Sequence, residues 1–386
     1  MHIIIIKHDK NEAGMNSGSY IETGKGYKAF MPEKLNIIEK DLDLSGIQAL
    51  VDRANLAVGE LRALEKMLPN PKLLTERYAL KESLLSSQIE GTQSTLVEIL
   101  EKEGTKPSNV DVMEVRNYFK ALTFGVDSLQ NPKGLPLSGR LLRMCHRVLM
   151  SGVRGGEQFK TPGEFRTSQN WIGGTGPADA VYVPPVATDI DVYMTDIENY
   201  IHHGIHPNLV KAALIHYQFE TLHPFQDGNG RIGRLLILLF LIDKEILYSP
   251  TLYISLYLKK KQNEYYSSLT KVRDTGDYIQ WIRFFLEGVV AVSEQTMTTT
   301  KRIIALENRD RARLQTGTAI KAFDILLNNP VITIKELQEE LGVTNATANA
   351  LVKKLESERI LVQMNNKQRY RIYAYKEYID IIEAGL

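Results

Sequence analysis

With 386 residues, 43% of them hydrophobic, the chain is long enough for two or three domains with substantial cores. Its 47 Lys/Arg against 46 Asp/Glu leave a formal net charge of +1, which excludes a global electrostatic pull toward nucleic acid or acidic membranes. The single cysteine, Cys145, excludes an intrachain disulfide and a cysteine metal cluster, and reads as a small buried hydrophobe.

The longest apolar run, Leu235–Ile242, is far short of the ~20 residues that span a bilayer, and Ile3–Ile6 is too short for a signal-peptide core. A soluble, cytoplasmic protein without membrane contact is expected. Residues 1–31 are polar and Gly-rich without a sustained period and read as an irregular segment, with Met15 a candidate start. From Leu44 to Met67 apolar residues recur at three- and four-residue spacing (Ile47, Leu50, Val51, Ala54, Val58, Leu61), predicting an amphipathic helix that Pro69 and Pro71 break. A second helix is predicted from Leu73 to Glu90, stopping at Gly91, and Thr95 with Glu98 forms a capping-box pattern for another. Glu90 falls in the last turn, where the macrodipole disfavours a carboxylate by a few tenths of a kcal/mol. It is either a solvated acid or an acid held by a cation elsewhere.

Further helices are predicted over 110–128 and Leu141–Leu149. Ser151 to Pro185 is rich in Gly, Pro and Thr; within it Ala180, Val181, Tyr182 and Val183 are strand-like, which suggests a hairpin flap. Helices resume at Ile190–Ile201 and at Leu209–Leu222, the latter leading directly into His223. Tyr253–Thr270 and Tyr278–Leu306 follow as helices, with Trp281, Phe284, Phe285 and Val289 at core spacing. Lys301 to Arg313 is highly charged and reads as a helix end or a linker.

From about residue 317 the pattern changes to helix (Ala319–Leu327), capped helix (Thr333 and Glu336, ending at Gly342), helix (Asn345–Glu358) and two β-like runs, Ile360–Met364 and Tyr370–Tyr373. That order resembles a winged helix-turn-helix domain. Nine Lys/Arg against nine Asp/Glu over 317–386 argue against a strongly basic DNA face, although Lys353, Lys354, Lys367, Arg369 and Arg371 could cluster. DNA and a protein partner both stay open.

The chemistry is concentrated in His223-Pro-Phe-Gln-Asp-Gly-Asn-Gly-Arg-Ile-Gly-Arg234. His223 can accept a proton near neutral pH, its unperturbed pKa being about 6.5. Asp227 is a carboxylate suited to Mg²⁺ beside phosphates. Gly228 and Gly230 permit close backbone approach at the start of an apolar helix, where unpaired amides and the macrodipole attract anions. Asn229 can donate to a phosphate oxygen. Arg231 and Arg234, three apart, are placed to fork onto successive phosphates. A Walker A sequence is absent. A base beside a polyphosphate site is the reading of the residues alone.

This stretch resembles the signature of the Fic family, H-x-F-x-[DE]-G-N-G-R-x-x-R, at every defined position. The likeness extends over about residues 20–300, through Gly163-Glu-Phe-Arg, Tyr182-Val-Pro-Pro and Tyr265-Tyr266, and Ser86-Ser-Gln-Ile-Glu90-Gly91 fits the family's inhibitory pattern [ST]-x-x-x-E-[GN]. The resemblance implies a mainly α protein: a helical-bundle Fic core with a small β-hairpin flap and a winged helix-turn-helix tail. The expected division is a helical region with the inhibitory helix (32–130), a catalytic core (131–300), a linker or helix end (301–316) and the winged helix (317–386).

It implies transfer of AMP from ATP to a Ser, Thr or Tyr hydroxyl of a protein, the chain itself included. His223 would be the base, and Asp227 would hold Mg²⁺. Asn229 and the amides of Gly228 and Gly230 would cradle phosphates, while Arg231 and Arg234 take the β/γ end. Ala180–Val183 would dock the target, and Tyr265 and Tyr266 border the nucleotide. Glu90 would pair with Arg234 and silence the site. Gly230 is intact, unlike in phosphate-transferring relatives. Members often form dimers, so a homodimer is a further possible partner. Removal of AMP by the same site, or a nucleotide-sensing regulator acting through the winged helix, are the alternatives.

Overall fold

A computed structural model describes residues 5–6, 15–67, 71–100, 109–152, 161–365, 367–368 and 370–384. Expectations that touch Pro69, Arg369 or the side chain of Pro71 lie outside the described residues. The chain is mainly helical. In order it contains β1 (Ile5–Ile6), β2 (Gly18–Glu22), β3 (Lys28–Pro32), α1 (Leu35–Asp41), α2 (Gln48–Met67), α3 (Pro71–Ile89), α4 (Leu96–Leu100), α5 (Val110–Gln130) and α6 (Gly139–Leu149). Then come α7 (Ile190–His203), α8 (Asn208–Leu222), α9 (Asn229–Asp243), α10 (Ser255–Lys260), α11 (Gln262–Thr275) and α12 (Tyr278–Arg311). The tail consists of α13 (Gly317–Asn328), β4 (Val331–Thr333), α14 (Ile334–Leu341), α15 (Asn345–Ser357), β5 (Val362–Gln363), β6 (Ile372–Ala374) and α16 (Lys376–Glu383).

The apolar run after the motif becomes the centre of the bundle. Every residue of α9 from Ile232 to Ile242 is buried, as expected of a helix hydrophobic on all sides, and α3, α5, α6 and α8 pack around it. α12 runs for 34 residues, about 50 Å at 1.5 Å per residue. Its first half packs on α2 and α8, with Trp281, Phe285 and Val289 fully buried and Phe284 nearly so. The charged stretch after Lys301 is therefore mostly helix, continuous with the core, and not a loose connection.

Three expectations are corrected. The segment before residue 32 is not wholly irregular, since β1, β2 and β3 form an antiparallel sheet in that order. Its buried face rests on few residues (Ala29, Phe30 and the Tyr20–Phe30 ring pair), too few for an alternation visible in the sequence. Ala180–Val183 forms no strand; a single bridge joins Ile172 to Tyr182, because Pro184 and Pro185 supply no amide to extend the ladder. The Tyr253–Thr270 helix is two helices, α10 and α11, separated at Lys261.

The tail is a winged helix: α13, α14 and α15 with the sheet β4-β6-β5. The capping box forms as read. Thr333 Oγ1 accepts from Glu336 N, and the Glu336 carboxylate accepts from Thr333 N at 2.7 Å. β4 and α16 are additional to the sequence reading. Thr333→Ala should cost about 1 kcal/mol, as for other N-caps, measurable as roughly fivefold faster amide exchange in α14 than in the wild type.

Candidate functional site

His223 is the C-cap of α8 and adopts a left-handed conformation (φ 47°, ψ 58°), uncommon for a residue with a Cβ. That conformation is pinned through its own carbonyl, which accepts from Arg166 Nε at 2.9 Å and Asn170 Nδ2 at 3.2 Å. The same buried guanidinium also donates to the carbonyls of Leu222 and Pro185, tying the end of α8 to the base of the flap. The imidazole is half-buried. Burial lowers its pKa toward about 4, with the Glu220 carbonyl acting in the opposite direction. The ring is therefore neutral at pH 7 and can accept a proton.

The turn from 223 to 229 is built around two further side chains. Asn229 is buried and uses both of its amide functions on Phe225, accepting from Phe225 N at 2.7 Å and donating to Phe225 O at 2.8 Å. Its side chain thus shapes the loop, with one of its two amide N–H groups directed to Phe225 O. His146, stacked on Phe225 at 3.9 Å, accepts from Gly163 N at Nδ1, so Nε2 carries the proton and donates to Asp227 O at 3.0 Å. Gly228 then begins α9 at φ 75°, with its amide on Asp227 Oδ1 at 2.6 Å.

Arg234 lies about one and a half turns into α9 and is 1% exposed. Its Nε donates to Ser86 Oγ at 2.8 Å, and Nη2 donates to Ser86 O at 2.9 Å and to Glu90 Oε1 at 2.6 Å. Burial works against the guanidinium charge and the Glu90 carboxylate more than restores it. Glu90 sits in the turn just beyond α3. That turn is closed by Glu90 N to Ser87 O and Gly91 N to Gln88 O, and Gly91 takes φ 96°. The cation sought for Glu90 is therefore Arg234. A Cβ on Gly230 would lie 2.3 Å from Glu90 Oε1, so the carboxylate occupies the hollow that this glycine leaves at the first turn of α9.

Arg231 is buried and pairs with Glu114 of α5 at 3.2 Å; about 60° of rotation separates it from Arg234 around α9, enough for one to meet α5 and the other α3. It does not line the cavity that Arg234 lines.

That cavity, about 540 Å³, is bordered by Glu90, His223, Gly230, Arg234, Tyr265 and Tyr266, with Trp171, Val181 and Tyr182 on the flap side. Such a volume lies in the range of roughly 300–1,000 Å³ typical of small-molecule sites. Tyr265 is buried and donates to His216 Nε2 at 2.8 Å, since His216 Nδ1 must donate to Gly233 O at 3.0 Å. Tyr266 is 45% exposed. On the flap, Ala180 is half-buried, Val181 is exposed, and Tyr182 and Val183 are buried; Val183 O accepts from Phe30 N at 2.9 Å, so the β2–β3 hairpin carries the flap.

Sequence reasoning missed Arg166, Asn170, His146, His216 and Glu220. Glu220 lines the cavity and fills the space where a Cβ on Gly233 would stand. Burial pushes its carboxyl up to about 7, with Arg234 drawing it down and Glu90 raising it. The helical position three residues before His223 was the one available signal.

Comparison with known proteins fits this geometry. Residues 48–127 match the Fic/DOC family N-terminal profile, residues 136–241 the Fic/DOC family profile, and residues 317–362 a winged helix-turn-helix DNA-binding profile. The chain carries a Fic domain. Curated relatives include the protein adenylyltransferases Fic of Drosophila mojavensis and Aedes aegypti, 32% and 33% identical over 129 residues. In each case the match covers 32% of this chain and 23% of the relative, so it spans about a quarter of their length. The fold is shared with a Fic family protein from Desulfovibrio desulfuricans (TM-score 0.56, 20% identity, 86% of this chain and 96% of that one). It is also shared with Fic-1 from C. elegans (TM-score 0.50, 20% identity, 66% and 74%). No helix among the described residues is long and apolar enough to cross a membrane.

Burial depresses the pKa of His146 to about 4 and that of His216 to about 3. A depressed folded value means stability is fully present above the unfolded pKa of about 6.5 and is lost as pH falls through the folded values. NMR should show both rings neutral at pH 5. Chemical denaturation should show each contributing a loss of up to ~1.4 kcal/mol per pH unit below 6.5.

Proposed function

We propose that the Fic domain transfers AMP from ATP to a hydroxyl side chain of a protein, and that Glu90 holds the site in an inhibited state. The observation that carries the reading is the Glu90 carboxylate itself: an anion seated over Gly230, at the first turn of α9 and bonded to Arg234. A terminal phosphate of ATP has the same chemistry and the same two attractions, the helix start and a charge-assisted bond to arginine. Both cannot occupy the place at once.

With Glu90 withdrawn, Arg234 fixes the γ end of the nucleotide, which sets the α-phosphorus in line with the attacking oxygen. Neutral His223 takes the proton of the target hydroxyl. The oxygen–phosphorus bond to the target forms as the bond to pyrophosphate breaks, so the products are the AMP-modified side chain and pyrophosphate. Arg231, engaged by Glu114, holds the helix start from the other side. The exposed Val181 edge of the flap offers main chain to an extended target segment, a mode that needs little side-chain specificity.

Among the described residues no group of three or more His, Cys, Asp or Glu could hold a metal alone. Asp227 at the turn fits a Mg²⁺ ion held jointly with phosphates, since Mg²⁺ is commonly bound by one or two carboxylates plus substrate oxygens. Such an ion would neutralise charge on the leaving group.

Glu90→Gly should raise incorporation of labelled AMP, into the chain itself or a target, at least about tenfold, equivalent to ~1.4 kcal/mol. An unchanged rate would remove the inhibitory role. His223→Ala in the Glu90→Gly background should lower incorporation by roughly 10²–10⁴, the usual contribution of a general base. Chelating divalent metal should suppress transfer in the same assay, and readdition of Mg²⁺ should restore it.

A further inference from the structure

The helix that brings Glu90 to Arg234 is held from its other side by the winged helix. Arg77 and Lys81 each precede Ser86 and Glu90 by nine residues. Nine residues are about two and a half helical turns, so the two pairs face opposite ways on α3. Arg77, 8% exposed, donates from Nη2 to the carbonyls of Leu327 (3.3 Å) and Asn328, the last residues of α13. Lys81, 0% exposed, donates from Nζ to Ile382 O at 2.7 Å and Ala384 O at 3.2 Å, at the end of α16. Each cation thus meets the negative end of a helix, where unpaired carbonyls and the macrodipole attract it. A lysine fully buried against neutral carbonyls is a costly arrangement if those carbonyls leave, and burial already lowers its pKa to about 8.

α16 is fastened in turn to α12. Arg309 forms a two-pronged pair with Glu377 at 3.0 and 2.7 Å, Tyr375 donates to Asp310 at 2.7 Å, and Gln295 donates to Ala384 O at 2.9 Å. Between these ties, Tyr378, Ile379, Ile381 and Ile382 are buried.

We propose that the winged-helix domain is the clamp of the Glu90 helix: the ends of α13 and α16, seated on Arg77 and Lys81, fix α3 in the position that presents Glu90 to Arg234. A partner that draws this domain away from α3 and α12 then frees the nucleotide site. The clamp rests on the reading of Glu90 as inhibitor for its effect on activity, but its mechanics can be measured without turnover.

The test uses the full chain and hydrogen exchange. Glu377→Lys reverses the outer tie of α16 and touches neither α3 nor the cavity; Lys81→Met removes the inner tie. In both, the amides of 376–384 should exchange faster than in the wild type, and those of Ser86–Gly91 should follow by about tenfold. AMP incorporation should rise toward the level of Glu90→Gly. Loosening of 376–384 with Ser86–Gly91 unchanged overturns the clamp, as does a failure of both variants to loosen 376–384. If exchange is coupled but Glu90→Gly is itself no more active than wild type, the clamp stands and the inhibitory reading falls.

Discussion

A guanidinium with 1% exposure has to be answered, and much of this molecule is arranged around answering Arg234. Removing the partner of a buried charge typically costs roughly 3–5 kcal/mol, whereas removing a surface pair costs little. Three of the Arg234 bonds go to Ser86 in the last turn of α3 and to Glu90 just beyond it. The charge therefore acts as a fixed demand at the floor of the cavity. α3 meets it in this conformation, and any anion that enters the cavity competes for it.

The reacting end obeys a different constraint. His223 has to leave a helix in a left-handed conformation and still keep its ring neutral and aimed into a half-dry space. Both requirements are met by groups that never face the cavity: Arg166 and Asn170 on its carbonyl, Asn229 across the turn, and His146 under Phe225. Placing the constraint on backbone atoms leaves the imidazole nitrogens available for chemistry. It also makes the loop depend on 161–170, a stretch that has no regular structure of its own.

The sequence made the helices legible wherever one face was apolar or a cap was present, as at Thr95–Glu98 and Thr333–Glu336. The compact motif was legible because its residues are neighbours. What escaped depended on the third dimension. Arg231 and Arg234 look equivalent in a string, yet α5 captures one with Glu114 and α3 captures the other. Asn229 reads as a phosphate ligand in the string, and its part in shaping the loop emerges only from its two bonds to Phe225. The hairpin β2–β3 carries too few apolar residues to register as strands, and its role emerges only from the bond between Phe30 and Val183. Arg166 stood in the string within Gly163-Glu-Phe-Arg, but its role could not be read there, because backbone carbonyls leave no trace in sequence.

The hollow at Gly230 has an implication for how this chain can change. The glycine that lets an anion rest on the start of α9 is the same one that admits the Glu90 carboxylate, and a methyl group there would collide with that carboxylate and crowd Arg234. Substitution at this position cannot exclude one occupant while sparing the other. On the proposed reading of Glu90, release of the site has to come through the distant end of α3 and the surfaces that hold it.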